Sequence, residues 1–192
     1  MWVKLDQKLF TFDNDLYFCH IYIPPLNSKV IQDENFDFFE SLELCITKYK
    51  DLGKVFISGD FNSRTSNLPD YVEFDKYLDT NIPFVCCYDI PKRINSDKII
   101  DAQGKRLLDL CISTGLLIAN GRLHADKNVG KFTFSSHRGE STVDYLLLEL
   151  DDFSTLCDFE VLDFTEFSDH AAVTFCMLCN NEISKNSDNT HL

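Results

Sequence analysis

No stretch of about 18 or more apolar residues occurs in the 192-residue sequence, which excludes a membrane-spanning helix of ordinary length. The first residues, MWVKLDQKLF, lack the basic segment and apolar core that mark a secretory leader. A soluble, intracellular chain, nuclear or cytoplasmic, is the expectation. A loop-rich, evenly spaced cysteine framework is also missing. The eight cysteines (Cys19, Cys45, Cys86, Cys87, Cys111, Cys157, Cys176 and Cys179) fall mostly inside apolar runs, so reduced, buried thiols are expected. Cys176 and Cys179 form one CxxC, but no second Cys or His pair stands at a zinc spacing. Net positive charge is absent as well: the chain carries −13, which argues against nonspecific attraction to nucleic-acid phosphates. No repeat or low-complexity linker divides it, which leaves one domain over residues 1–179 and a polar tail, 180–192, expected to be disordered.

What is present is unevenly distributed. Between Lys92 and Arg138 nine basic residues (Lys92, Arg93, Lys98, Lys105, Arg106, Arg122, Lys127, Lys131, Arg138) face four acidic ones, a pattern equally suited to a phosphate-tracking face and to an ordinary solvated surface. DLYFCHIYI, Asp15 to Ile23, is β-branched and aromatic and stops at Pro24 and Pro25, as a strand would. Apolar residues recur every three or four positions from Asp33 to Tyr49, which predicts an amphipathic helix with Asp33 and Glu34 at its acidic start. Lys54 to Ser58 predicts a strand buried on both faces that breaks at Gly59. Asp70 to Ser96 lacks periodicity and is expected to be a surface excursion. Gln103 to Thr114 predicts a helix capped by Gly115, and Leu116 to Asn120 a strand. Lys131 to Ser136 and Thr142 to Leu148 flank HRGE as a hairpin, and Phe159 to Phe164 and Ala171 to Leu178 give two more strands. Strands interleaved with two good helices imply a mixed α/β sandwich.

Four polar clusters sit at or just beyond apolar strands: Tyr22, Asp60 with Asn62, Asp144, and Asp169 with His170. Each has a plain structural role available, such as a turn cap at Asp60, an Asx-turn at Asn62 or a local ion pair at Asp144. Together they supply the parts of metal-assisted phosphodiester hydrolysis. Carboxylates at Asp60 or Asp169 offer oxygen ligands to Mg²⁺. A histidine oriented by a carboxylate stabilises charge or moves a proton, and the Asn62 amide holds a water or a phosphate oxygen.

The ordered motifs GDFN (Gly59 to Asn62), TVDYLL (Thr142 to Leu147) and SDHAAV (Ser168 to Val173) resemble the endonuclease/exonuclease/phosphatase superfamily. YIPP (Tyr22 to Pro25), GKRLLDLC (Gly104 to Cys111), GLLIANGR (Gly115 to Arg122) and GKFTF (Gly130 to Phe134) are similar to the endonuclease domain of LINE-type non-LTR retrotransposons. The resemblance runs to about Leu178. It implies a four-layer α/β sandwich of two packed mixed sheets flanked by helices, and a Mg²⁺-dependent (or Mn²⁺-dependent) DNA-nicking activity. It further implies DNA as partner, no membrane, and a reverse transcriptase domain downstream in a parent polyprotein. Asp60 and Asn62 match the pair that activates and orients the attacking water. His170 matches the histidine on the scissile phosphate, and Asp144 the aspartate that orients its ring. Asp169 and Asp60 match carboxylates at the metal, and Tyr22 a tyrosine that reaches the phosphate. Phe134 matches a residue lining the nucleotide pocket and, with the basic Arg138, is a substrate-binding candidate.

The sequence departs from that pattern at its start. The family's asparagine strand and QE glutamate, its main Mg²⁺ ligand, have no counterpart before Tyr22, and QDE at Gln32 to Glu34 comes too late in the order. The expectation is therefore the C-terminal portion of such a domain, lacking its N-terminal strands and impaired or inactive in cleavage. A non-enzymatic remnant or interaction module, and a phosphomonoesterase of the same superfamily, are the alternatives.

Overall fold

The structure, a computed structural model, describes residues 1–10, 12–26, 28, 36–72 and 90–178. Its centre is a five-stranded mixed sheet in the order β1 (Trp2–Leu5), β2 (Leu16–Tyr22), β3 (Lys54–Asp60), β7 (Asp144–Leu148), β4 (Leu117–Ile118). β2 and β3 run parallel, and the other neighbours are antiparallel. The three consecutive apolar residues of β3 are shared between two cores because side chains alternate along a strand. Val55 and Ile57 join a cluster with Phe39, Leu42, Ile46, Leu107 and Cys111. Phe56 joins another with Leu146, Phe159 and Val161.

The first cluster is the helix side. Helix α2 (Phe38–Lys50) buries Phe39, Leu42 and Ile46 and is capped by Asp37, whose carboxylate accepts the Phe39 and Glu40 amides. Helix α3 (Ala102–Thr114) starts at Asp101, which accepts the Gly104 amide, and ends at Gly115 in the left-handed region with φ 73°. The second cluster is covered by β8 (Leu156–Val161) and β9 (Val173–Met177), an antiparallel pair. Helices on one face of the mixed sheet and a second sheet on the other give the expected α/β sandwich. A small helix, α1 (Gln7–Phe10), links β1 to β2, and a hairpin of β5 (Phe134–Ser136) and β6 (Gly139–Ser141) stands beside the sheet.

Several expectations change. The helix over 33–49 begins at Phe38, and Asp33 and Glu34 lie outside the described residues. The strand at Lys54 does not break at Gly59; it continues through Asp60, with Gly59 opposite both Ile21 and Tyr145. Glycine is needed inside that ladder. Its φ is +147°, and an added Cβ would lie 1.9 Å from the Ile21 carbonyl oxygen. The HRGE turn does join a hairpin, but β5 pairs with β6, and the run from Asp144 crosses to β3 instead. The strand expected at Leu116 to Asn120 is reduced to two residues. β1 and α1, which the pattern analysis missed, extend the sheet at its edge. The tail over 180–192 lies outside the described residues.

The excursion from Asp70 to Ser96 is not all surface. Its middle lies outside the described residues, but Asp70, Arg93 and Asn95 at its two ends are buried. Asp70 takes both ends of the Arg122 guanidinium at 2.6 Å and the Ile118 amide at 2.8 Å. Arg122 also donates to the carbonyls of Ile118 and Pro91. The basic stretch from Lys92 to Arg138 is therefore no continuous face, since Arg93 and Arg122 point into the core. The cysteines divide likewise: Cys19 and Cys111 are buried, Cys157 and Cys176 are exposed, and Cys86, Cys87 and Cys179 lie outside the described residues.

Two stability measurements follow from this packing. Asp70→Ala strands a fully desolvated guanidinium and is expected to cost about 3–5 kcal/mol in urea unfolding; a loss below about 1 kcal/mol would contradict the burial. Gly59→Ala forces backbone displacement between β2 and β3 and is expected to cost about 3 kcal/mol or more, the range of core strain. Gly139→Ala, with φ +125° but nothing within 4 Å of the added Cβ, is the control and should cost less.

Candidate active site

The register of the central sheet decides what faces what. Tyr22 pairs with Asp60 across β2 and β3, and Asp60 pairs with Asp144 across β3 and β7. Residues in one row of a sheet project from the same face, so three side chains singled out in the sequence form one row where the ladder ends. Like charges placed directly opposite are unfavourable, and the surrounding groups answer that cost at each carboxylate.

At Asp60 the answer is Asn62. Just past β3 the chain turns, and Asn62 adopts φ +46°, a left-handed conformation that asparagine tolerates. Its backbone amide donates to Asp60 Oδ1 at 2.8 Å, and its side-chain Nδ2 donates to Asp60 Oδ2 at 2.9 Å and to the Ile23 carbonyl at 3.0 Å. Asp60 and Asn62 are thereby one rigid unit, tied to the end of β2.

At Asp144 the answer is His170. Its Nδ1 lies 2.9 Å from Asp144 Oδ2, which leaves Nε2 as the ring nitrogen available to a ligand. The loop before β9 that carries His170 is held by a backbone bridge to Phe134 and by the Ala171 amide on the Thr133 carbonyl at 2.8 Å. The Phe134 ring packs on the imidazole with centroids 4.9 Å apart. Ligand atoms of Asp60, Asp144 and His170 all lie within 4.8 Å of one another.

The electrostatics follow from this crowding. Burial pushes the Asp60 carboxyl above its ordinary value; the Asn62 hydrogen bonds oppose that, and the Asp144 charge adds to it. Burial alone would lower His170. The hydrogen bond to Asp144 and the charges of Asp144, Asp60 and Asp169 outweigh burial, so the imidazole holds its proton above the ordinary histidine value.

Asn62 and His170 border a cavity of about 340 Å³ whose wall includes Phe134, Val143, Arg64 and Gln103. Of the remaining sequence candidates, Tyr22 is exposed at the end of its row, and Asp169 is exposed, with its carbonyl accepting the Ser135 amide at 2.8 Å. Arg138 is exposed at the turn of the β5–β6 hairpin. Among the described residues Asp169 stands outside the Asp60, Asp144 and His170 grouping.

Three supporting residues were not singled out from the sequence. Thr133, fully buried, accepts the amides of Val143 and Asp144 on its hydroxyl at 2.9 and 3.0 Å. Asn120 donates to the Asp144 carbonyl and accepts the Leu146 amide, which fixes β7 from the other side. Arg64 is clamped on the cavity wall by Asp97, with both bonds at 2.7 Å. The signal for Asn120 lay in NGR, where a polar residue closes an apolar run; a single threonine such as Thr133 carries none.

No family model matches this sequence, and no curated protein matches it. Solved structures do. The endonuclease domain of TRAS1, a telomere-specific non-LTR retrotransposon, superposes with a TM-score of 0.53 at 16% identity, over 94% of this chain and 69% of that one. A 3'-5' exonuclease from Neisseria meningitidis superposes at 0.50 and 19% identity, over 85% of this chain and 61% of that one. This chain thus spans about two thirds of the length of these structures, and it shares their fold.

Proposed function

We propose that this protein hydrolyses phosphodiester bonds in DNA with a divalent cation, Mg²⁺ or Mn²⁺, nicking a strand. The observation that carries the reading is the Asp60–Asp144 row closed by Asn62 and His170 at the rim of a cavity. The fold shared with an endonuclease domain and an exonuclease supports it. So does the sequence resemblance, which also favours a retrotransposon setting with a reverse transcriptase domain in the same polyprotein.

The donor set fits a hard cation. Mg²⁺ is commonly held by one or two carboxylates, with water and substrate phosphate completing its shell. Asp60 and Asp144 meet that need, and the repulsion between them is what a cation relieves. Asp169, next to His170 in sequence, is a further candidate ligand. When bound, the ion would neutralise charge on the phosphoryl oxygens.

The chain's own residues supply the rest. A carboxylate oxygen of Asp60 left free by the cation accepts a proton from the attacking water. Asn62, already fixed by Asp60 and Ile23, orients the water and the phosphate. His170, held through Nδ1 by Asp144, presents Nε2 to the phosphate and in its protonated form donates Nε2–H to a phosphoryl oxygen as negative charge develops there. Phe134 and Val143 offer an apolar wall to a sugar or base. Of the basic residues from Lys92 to Arg138, Lys92, Lys98, Lys105, Lys127 and Arg138 are exposed and are available to backbone phosphates against the overall charge of −13, whereas Arg106 is paired with Asp37.

Conversion of supercoiled plasmid to open circle in millimolar Mg²⁺ tests the reading directly. Nicking is expected to cease with EDTA and to fall by about 10²–10⁴ in Asp60→Ala and His170→Ala, the range for a lost acid or base. No nicking by the unaltered chain would sink the proposal in favour of a non-enzymatic remnant. Release of phosphate from a 3'-phosphate end without nicking would instead favour a phosphomonoesterase.

A metal-free NMR titration of His170 tests the electrostatics. A folded pKa above about 6.5 is expected, and Asp144→Asn should lower it, because burial then acts with less opposition. By linkage, the raised pKa contributes stability that is present in full below the unfolded histidine value and is lost as pH rises through the folded one. An unchanged midpoint in Asp144→Asn would contradict the assignment.

A further inference from the structure

The β8–β9 ladder contains an irregularity that the catalytic reading does not use. Asp158 pairs with Cys176 and Leu156 with Met177, so Cys157 is one extra residue on β8 opposite an uninterrupted β9. The alternation of burial is broken at the same place. Leu156 and Phe159 point into the core, whereas Cys157 and Asp158 are both exposed, and so is Cys176. The bulge therefore presents two free thiols side by side on the outer surface of the ladder. In such a bulge two residues of one strand, here Cys157 and Asp158, oppose one of the other, so Cys157 neighbours Cys176 although Asp158 is its register partner; a disulfide needs their Cα atoms within roughly 4.4–6.8 Å.

We propose that Cys157 and Cys176 form a thiol-oxidation site, an exposed dithiol that a small-molecule disulfide such as oxidised glutathione converts to a cross-strand disulfide. One protein thiolate attacks the small disulfide, breaks its S–S bond and expels one small thiolate. The second protein thiolate then attacks the mixed disulfide at the protein sulfur and expels the other. Two small thiols carry away the two protons, the protein loses two electrons, and the small disulfide gains them. The tie closes the loop from 157 to 176, on which the proposed phosphate-binding His170 lies, although the chemistry of the pair does not depend on any catalytic role.

The competing partners are testable in the full chain. Oxidised glutathione is added at a small excess to the reduced protein, free thiols are blocked, and peptides are mapped by mass spectrometry. The expected result is a peptide joining Cys157 to Cys176, in a yield independent of protein concentration. Cys157→Ser should abolish it and leave a glutathione adduct at Cys176, and Cys176→Ser the reverse; both positions are exposed, and circular dichroism checks that the variants fold. A link from Cys176 to Cys179, an intermolecular dimer whose yield grows with concentration, or stable glutathione adducts on both cysteines of the unaltered chain would each overturn the proposal.

Discussion

The candidate site depends on one rung of the central sheet, the pairing of Asp60 with Asp144 across β3 and β7. Two carboxylates opposite one another at a strand end are unfavourable unless something answers their charge. Here Asn62 and His170 do so. Asn62 donates twice to one carboxylate, and the His170 imidazole bonds the other. The rung also fixes distance. Because β3 and β7 are buried on both faces, a slip by one residue would send Val55, Phe56 and Ile57 to the wrong cores. The hydrophobic pattern therefore holds the carboxylates together against their own repulsion.

That arrangement explains why the supporting shell is polar and buried. Strand β7 has to arrive at the correct height beside β3, and its first amides are taken by the Thr133 hydroxyl while Asn120 spans its next residues. The Thr133 carbonyl in turn takes the amide next to His170. One threonine thus connects Asp144 to the loop that carries its imidazole partner. Satisfied networks of this kind are rigid because each unmet bond would be costly in a low-dielectric interior.

Much of this was legible in the sequence for local reasons. DLYFCHIYI and KVFIS read as strands because β-branched and aromatic residues cluster there, and the end of the second helix was marked by Gly115 through cap chemistry. Asp60, Asn62, Asp144 and His170 stood out because each is a polar residue at the end of an apolar run. What was not legible depends on distant partners. Asp70 and Arg122 look like surface charges until the 52-residue separation between them is closed. The run from Asp144 looked like half of a local hairpin because a short turn precedes it, yet β3 was the better partner. It offers a neighbour buried on both faces, whereas β5 and β6 remain partly open to solvent.

The break expected at Gly59 shows the same limit from the other side. Glycine in an apolar run reads as punctuation when only neighbours in sequence are considered. In the folded chain it is the point at which the Ile21 carbonyl approaches too closely for any side chain. That close approach keeps β2 and β3 paired for one more residue, to the Tyr22–Asp60 step. Had the strand ended at Gly59, Asp60 would have left the sheet as a loop residue and would not face Asp144. The glycine therefore positions the aspartate by prolonging the ladder, and the rigidity of the site comes from strand pairing more than from the turn that follows it.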